Sequence, residues 1–130
     1  MVNVVLGYED EIKRKKLLDH LVKNFPQVTT LLYTINTKMN DSLYDLEPQV
    51  YTGKGFVTET MEDFKFKIGP KSFFQTNTAQ GEVLYKVTRE FAGLTGKETV
   101  YDLYCGTGSI GIFLKKKKKK IIGVETIKEA

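Results

Sequence analysis

The sequence has one cysteine, one histidine and three prolines among its 130 residues. A single thiol, Cys105, excludes an internal disulfide and any metal or iron–sulfur site built from cysteines alone. His20 has no second histidine to share a metal with, and no Asp-His-Cys grouping surrounds it, so a surface or boundary position is expected. No apolar run approaches the ~20 residues needed to cross a bilayer, and no signal-peptide pattern opens the chain. These absences lead to the expectation of a cytoplasmic protein with no membrane partner.

Evenly spread positive charge is lacking too. The formal charge is +4, but six of the lysines form one run, Lys115 to Lys120, and the rest of the chain is net negative. Overall basicity is therefore a poor argument for nucleic-acid binding. The run reads either as a solvated helix end, where lysines suit the dipole, or as a contact to a phosphate backbone. What is present is enough for a core, since 41% of the residues are hydrophobic and 12% aromatic. The length allows one ordinary domain, or a small domain plus a piece of another.

The chain is organised around residues 99–111. Val100, Tyr101 and Leu103 form a short β-prone run, Gly106 and Gly108 follow at once, and Ile110, Ile112, Phe113 and Leu114 begin a new apolar pattern. That order predicts a buried strand, a tight glycine turn and a helix N-terminus. Such a turn brings backbone close to a ligand and offers it unpaired N–H groups. Gly106 to Gly111 is a literal G-x-G-x-x-G, and Ile121 to Glu125 reads as a second buried strand ending in a carboxylate. Glu125 lies about 20 residues past Gly106, the spacing of the acid that accepts from ribose hydroxyls. Dinucleotides and S-adenosylmethionine both use that acid. Asp102 favours the second, because a carboxylate at the end of the first strand repels a pyrophosphate and suits a sulfonium and an ammonium.

In chain order, Met1 to Leu6 alternates as a short strand. Glu9 to Phe25 reads as a helix with Leu17, Leu18, Leu21, Val22 and Phe25 on one face, stopped by Pro26. Residues 28–37 read as a strand. Gly53-Lys54-Gly55 is a candidate hairpin turn between Val50-Tyr51 and Phe56–Thr58, and Phe64 to Ile68 alternates as a half-buried strand. Residues 28–70 thus predict a small antiparallel sheet. After Gly69-Pro70, Asn77 and Gln80 cap a helix over 78–92, with Leu84, Val87, Phe91 and Leu94 as its apolar stripe and Gly93 and Gly96 at its end. Helix, strand, glycine turn, helix, strand is the opening of a doubly wound α/β domain. The expectation is a central α+β domain over 1–70, then the incomplete start of a Rossmann-like domain over 71–130. A parallel core of this kind usually has more strands, so a piece of a longer protein is expected, with an apolar edge open to self-association.

Three stretches together carry a resemblance. They are Ser72-Phe73-Phe74-Gln75-x-Asn77, then Asp102-Leu103-Tyr104-Cys105-Gly106-Thr107-Gly108-Ser109-Ile110-Gly111, then Ile122-Gly123-Val124-Glu125. In these the chain closely resembles the RNA (uracil-5-)-methyltransferases, which methylate uracil C5 in ribosomal or transfer RNA. The resemblance implies an S-adenosylmethionine cofactor contacted by Gln75, Tyr104, Ser109 and Glu125, with Gly106 and Gly108 shaping the loop. It implies an RNA substrate, ribosomal RNA ahead of transfer RNA. It also implies a cysteine that adds to uracil C6 and a carboxylate that removes the C5 proton. Both belong to the family's C-terminal portion and match nothing in this chain; Cys105 sits in the cofactor turn and is not that nucleophile. The fragment alone is expected to be inactive.

Each site residue has a purely structural alternative. Tyr104 packs in a core, Gln75 bonds its own turn, Ser109 caps a helix, and Asp102 orients the loop. Phe73 and Phe74 either stack on an unpaired base or pack internally. The rival functions are an NAD-dependent oxidoreductase, motivated by the glycine pattern, and a non-catalytic RNA-binding module.

Overall fold

A computed structural model describes residues 1–115 and 120–127. The chain divides into two compact units, Met1–Val57 and Thr58–Ala130.

The first unit contains β1 (Val2–Leu6), α1 (Glu11–Asn24), β2 (Leu31–Ile35) and β3 (Gln49–Thr52). Its sheet has the order β1-β2-β3, with β1 parallel and β3 antiparallel to β2. Parallel neighbours need a crossover, and α1 supplies it. Asp10 is the N-cap of α1, its carboxylate accepting from the Lys13 amide at 3.0 Å. Of the predicted apolar stripe Leu18 is fully buried, whereas Leu17, Val22 and Phe25 stay exposed. Side chains fasten α1 to the sheet: Tyr51 donates to Asp19 at 2.5 Å, and the Arg14 guanidinium lies 4.6 Å from the Tyr33 ring centre. His20 is exposed, as expected, and shares a hydrogen bond with Asn24.

The single antiparallel sheet expected over 28–70 is not what forms. Leu31, Leu32 and Thr34 are all buried, so β2 is a central strand flanked on both edges. Gly53-Lys54-Gly55 does not close a hairpin either. The strand before it pairs with β2, and the strand after it, β4 (Val57–Met61), pairs with β5 (Phe64–Ile68). The tight turn is Glu62-Asp63, with Glu62 at φ 50°.

The second unit adds α2 (Thr78–Ala92), β6 (Thr99–Leu103), α3 (Ser109–Leu114) and β7 (Lys120–Val124). Its core is Met61, Phe66, Phe74, Tyr85 and Phe113, with Phe64 and Ile68 packed against it. From Thr58 onward the β4–β5 hairpin is therefore grouped with the second unit. Helix α2 has the predicted bounds, capped by Asn77 accepting from the Gln80 amide at 3.1 Å and ended by a left-handed Gly93. Its inward face is not the predicted one. Leu84, Val87 and Phe91 are exposed, and Gly81 and Tyr85 are buried. The cause is close approach: a Cβ at Gly81 would lie 2.9 Å from the Gln75 Cβ and 3.4 Å from the Met61 Cε.

Strands β6 and β7 pair in parallel, Thr99 with Lys120 through Leu103 with Val124, with α3 as the crossover. They are less buried than predicted: Tyr101, Leu103 and Val124 are exposed, each strand having one neighbour among the described residues. Helix α3 ends at Leu114, with Lys115 at its C-cap. The predicted lysine-run helix end falls mostly on 116–119, outside the described residues.

Candidate functional site

The chain leaves β6 through a turn that bends three times into left-handed backbone, at Tyr104 (φ 60°), Gly106 (φ 52°) and Gly108 (φ 71°). Glycine adopts this conformation without a Cβ penalty. For an aromatic residue it stores strain on the order of 1–3 kcal/mol, of the kind that gathers at ligand sites. The result is a Tyr104 side chain standing beside the turn, 87% exposed. Two backbone bonds fix the loop: the Cys105 amide donates to the Val124 carbonyl at 3.1 Å, and the Gly108 amide to the Cys105 carbonyl at 2.8 Å.

Helix α3 starts at Gly108, which has no side chain to cap it. Asp102, from the adjacent strand, does so instead, its Oδ2 accepting from the Gly111 amide at 2.9 Å. Asp102 therefore orients the loop, one of the two roles open to it from sequence. Glu125, just past β7, closes the turn from the other side. One carboxylate oxygen accepts from the Gly106 amide at 2.8 Å; the other accepts from the Thr126 and Ile127 amides at 2.7 and 2.8 Å. Hydrogen bonds from the Ile127, Gly106 and Thr126 amides hold its carboxyl below the ordinary carboxylate range.

A cleft of about 380 Å³ opens over this turn, within the ~300–1,000 Å³ usual for small-molecule sites. Of the predicted site residues, Gln75, Tyr104, Gly106, Ser109 and Glu125 line it. Gly108 does not; it faces a second recess with Asp102, Cys105 and Gly111. Phe73 and Phe74 part company. Phe73 is exposed and lines the cleft, whereas Phe74 is buried with its ring 5.4 Å from that of Phe66. Ser109 is not a helix cap: it is buried at the first position of α3, and its hydroxyl lies 2.9 Å from that of Tyr85.

Lys71, Tyr85 and Thr107 also line the cleft and were not anticipated. The only sequence signal for Tyr85 is its spacing four residues from Gly81, which puts both on one helix face; the longer apolar stripe masked it. The Thr107 hydroxyl is buried without a hydrogen-bond partner among the described residues. No three of His, Cys, Asp and Glu gather to hold a metal ion among the described residues. The cleft thus combines aromatic and aliphatic walls, two carboxylates and an orphaned hydroxyl, a set suited to a polar ligand carrying both a flat ring and positive charge.

Relatives by sequence and a solved structure point to one class. No family model matches the sequence. An uncharacterized RNA methyltransferase of Bacteroides thetaiotaomicron is 53% identical over 89% of this chain and 26% of its own length. One of Porphyromonas gingivalis is 51% identical over 100% of this chain and 28% of its own length. Among solved structures, the Pyrococcus abyssi tRNA (uracil-54, C5)-methyltransferase, in complex with S-adenosyl-L-homocysteine, matches with a TM-score of 0.72 and 30% identity. It covers 98% of this chain and 29% of its own. The chain belongs to the RNA methyltransferase family. It spans about a quarter of the length of the curated relatives it matches.

Proposed function

We propose that this chain is the cofactor-holding part of an S-adenosylmethionine-dependent RNA (uracil-C5) methyltransferase, with the β6–turn–α3–β7 stretch opening its Rossmann-like domain. The observation that carries the reading is the gathering of Gln75, Tyr104, Gly106, Ser109 and Glu125 around one cleft. The cleft suits such a cofactor: among the described residues the buried Thr107 hydroxyl has no hydrogen-bond partner, and two carboxylates stand where positive charge would be. Tyr104 would pack its ring on the adenosine, Glu125 would accept from the ribose, and Gln75 would offer a donor and an acceptor. Glu125 already accepts three amides, so the ribose takes the lone pair left on the oxygen that holds Gly106. When bound, the cofactor supplies an electrophilic methyl group.

The dinucleotide alternative is weaker. The Gly106 amide that would face a pyrophosphate is taken by the Glu125 carboxylate, and Asp102 adds a second negative charge at the turn. Ribosomal RNA as substrate, transfer RNA as the alternative, a cytoplasmic location and RNA contact by residues 1–70 belong to the same reading. Self-association would use the exposed Tyr101 and Leu103. Calorimetric titration of the complete gene product tests the cofactor. S-adenosylhomocysteine is expected to bind and NADH to bind more weakly; the reverse order overturns the reading.

A further inference from the structure

The Tyr85 and Ser109 hydroxyls meet 2.9 Å apart in a buried part of the cleft wall, at 3% and 7% exposure of the two residues. A hydroxyl buried without a partner is costly, so mutual satisfaction would explain the pair if nothing were left over. Something is left over. Either hydroxyl can donate across this distance; the phenol is the stronger acid, which favours Tyr85 as donor and the Ser109 Oγ as acceptor. The Ser109 proton then remains, and among the described residues this hydroxyl makes no other hydrogen bond. Helix α3 does not need it, because Asp102 already caps that end.

The Tyr85 ring is itself held in place. It meets the Phe113 ring edge-on at 5.5 Å, and Arg89, one turn along α2, donates to the Phe113 carbonyl. A fixed phenol thus sets the rotation of the serine hydroxyl, and preorganised donors are what a ligand site needs.

Building on the cofactor reading above, we propose that Tyr85 is a positioning residue. It donates to Ser109 and so leaves the Ser109 proton as a directed donor to an acceptor oxygen of the bound cofactor. Titration of S-adenosylhomocysteine into the complete gene product and three variants tests this. Tyr85→Phe keeps the ring and its packing, and is expected to weaken binding about three- to tenfold, the range for one lost neutral hydrogen bond. Ser109→Ala, which leaves the ring untouched, is expected to lose at least as much. The double variant is expected to bind no worse than Ser109→Ala, because one substitution has already removed what the other acts through.

Losses that add overturn the proposal, since Tyr85 would then act independently of Ser109. Unchanged affinity in either single variant overturns it too, even where Tyr85→Phe lowers the melting temperature. If the folded wild-type protein fails to bind S-adenosylhomocysteine, the cofactor reading itself falls; if wild type binds and the variants match it, only the role of Tyr85 does.

Discussion

Asp102 and Gly111 are made for each other: the Asp102 carboxylate accepts from the Gly111 amide at 2.9 Å, and a Cβ at Gly111 would lie 2.8 Å from that same oxygen. The missing side chain makes room for the carboxylate that caps the helix. Asp102→Ala is expected to cost about 0.5–2 kcal/mol, the range for a lost helix cap. Gly111→Ala gains up to ~1 kcal/mol of helix propensity but displaces the carboxylate and crowds Ile121, so it is expected to destabilise. In the Asp102→Ala background the same substitution is expected to be much less harmful. Urea titration of the four proteins checks this, and equal costs in both backgrounds would refute the coupling.

Arg89 joins three elements of the second unit. Its guanidinium donates to both Glu62 oxygens at 3.3 and 2.9 Å and to the Phe113 carbonyl, while lying 4.0 Å from the Phe113 ring centre. Arg89→Ala is expected to cost about 2 kcal/mol, since hydrogen bonds to charged groups contribute ~1.5–3 kcal/mol each. Arg89→Lys is expected to recover less than half of that loss. An ammonium cannot span carboxylate and carbonyl as the planar fork does. Full recovery by lysine would mean that charge alone matters there.

The glycine turn was more legible in the sequence than the strand pairing around it. Glycines that tolerate left-handed backbone, with Asp102 in one strand and Glu125 just past the next, leave a local signature, and the spacing of Glu125 from Gly106 is enough to pair them at the turn. What spacing could not reveal is that Glu125 also latches the Gly106 amide. Helix α2 shows the limit of periodicity. Its apolar stripe through Leu84, Val87 and Phe91 is regular yet exposed, because the contact of Gly81 with Gln75 and Met61 decides which way the helix turns. Strand pairing was hidden for a similar reason. Nothing local to Gly53-Lys54-Gly55 says that its flanking strands choose different partners, a choice made by the burial of β2 and by the Met61–Phe66 core.

Glu98 folds back on the loop before β6. It accepts from the Thr95 hydroxyl at 2.6 Å and from the Thr95 and Gly96 amides at 3.0 and 2.9 Å. The Thr95 hydroxyl first, then the amides, push its pKa down from the ordinary 4.5 to about 2. A folded pKa below the unfolded one stabilises at higher pH. The contribution is complete above about 4.5 and is lost as pH falls towards 2. Glu125 is shifted in the same direction. Calorimetric melting temperature is therefore expected to fall across this window, and Glu98→Gln to fall less steeply. An unchanged slope in the variant would remove Glu98 from the account.

Glu125 has two tasks under the proposed function, latching the turn and accepting from the ribose. Glu125→Ala in the complete gene product is expected to weaken S-adenosylhomocysteine binding at least tenfold, or ~1.4 kcal/mol. Titration calorimetry measures it directly. An unchanged affinity would place the ribose elsewhere.

Phe73 and Phe74 are adjacent in sequence but opposite in consequence. Phe74 is 9% exposed and packs on Phe66, so Phe74→Ala empties part of a small core and is expected to cost about 3–5 kcal/mol. Phe73 is 74% exposed at the cleft rim, and surface truncation of this kind changes stability by only about 0.5 kcal/mol. Phe73→Ala is therefore expected to leave the urea midpoint almost unchanged and to act on binding instead. If the ring stacks on an unpaired base, RNA affinity should fall by about 1–3 kcal/mol while cofactor affinity holds. Loss of cofactor affinity with RNA binding intact would assign the ring to the cofactor wall.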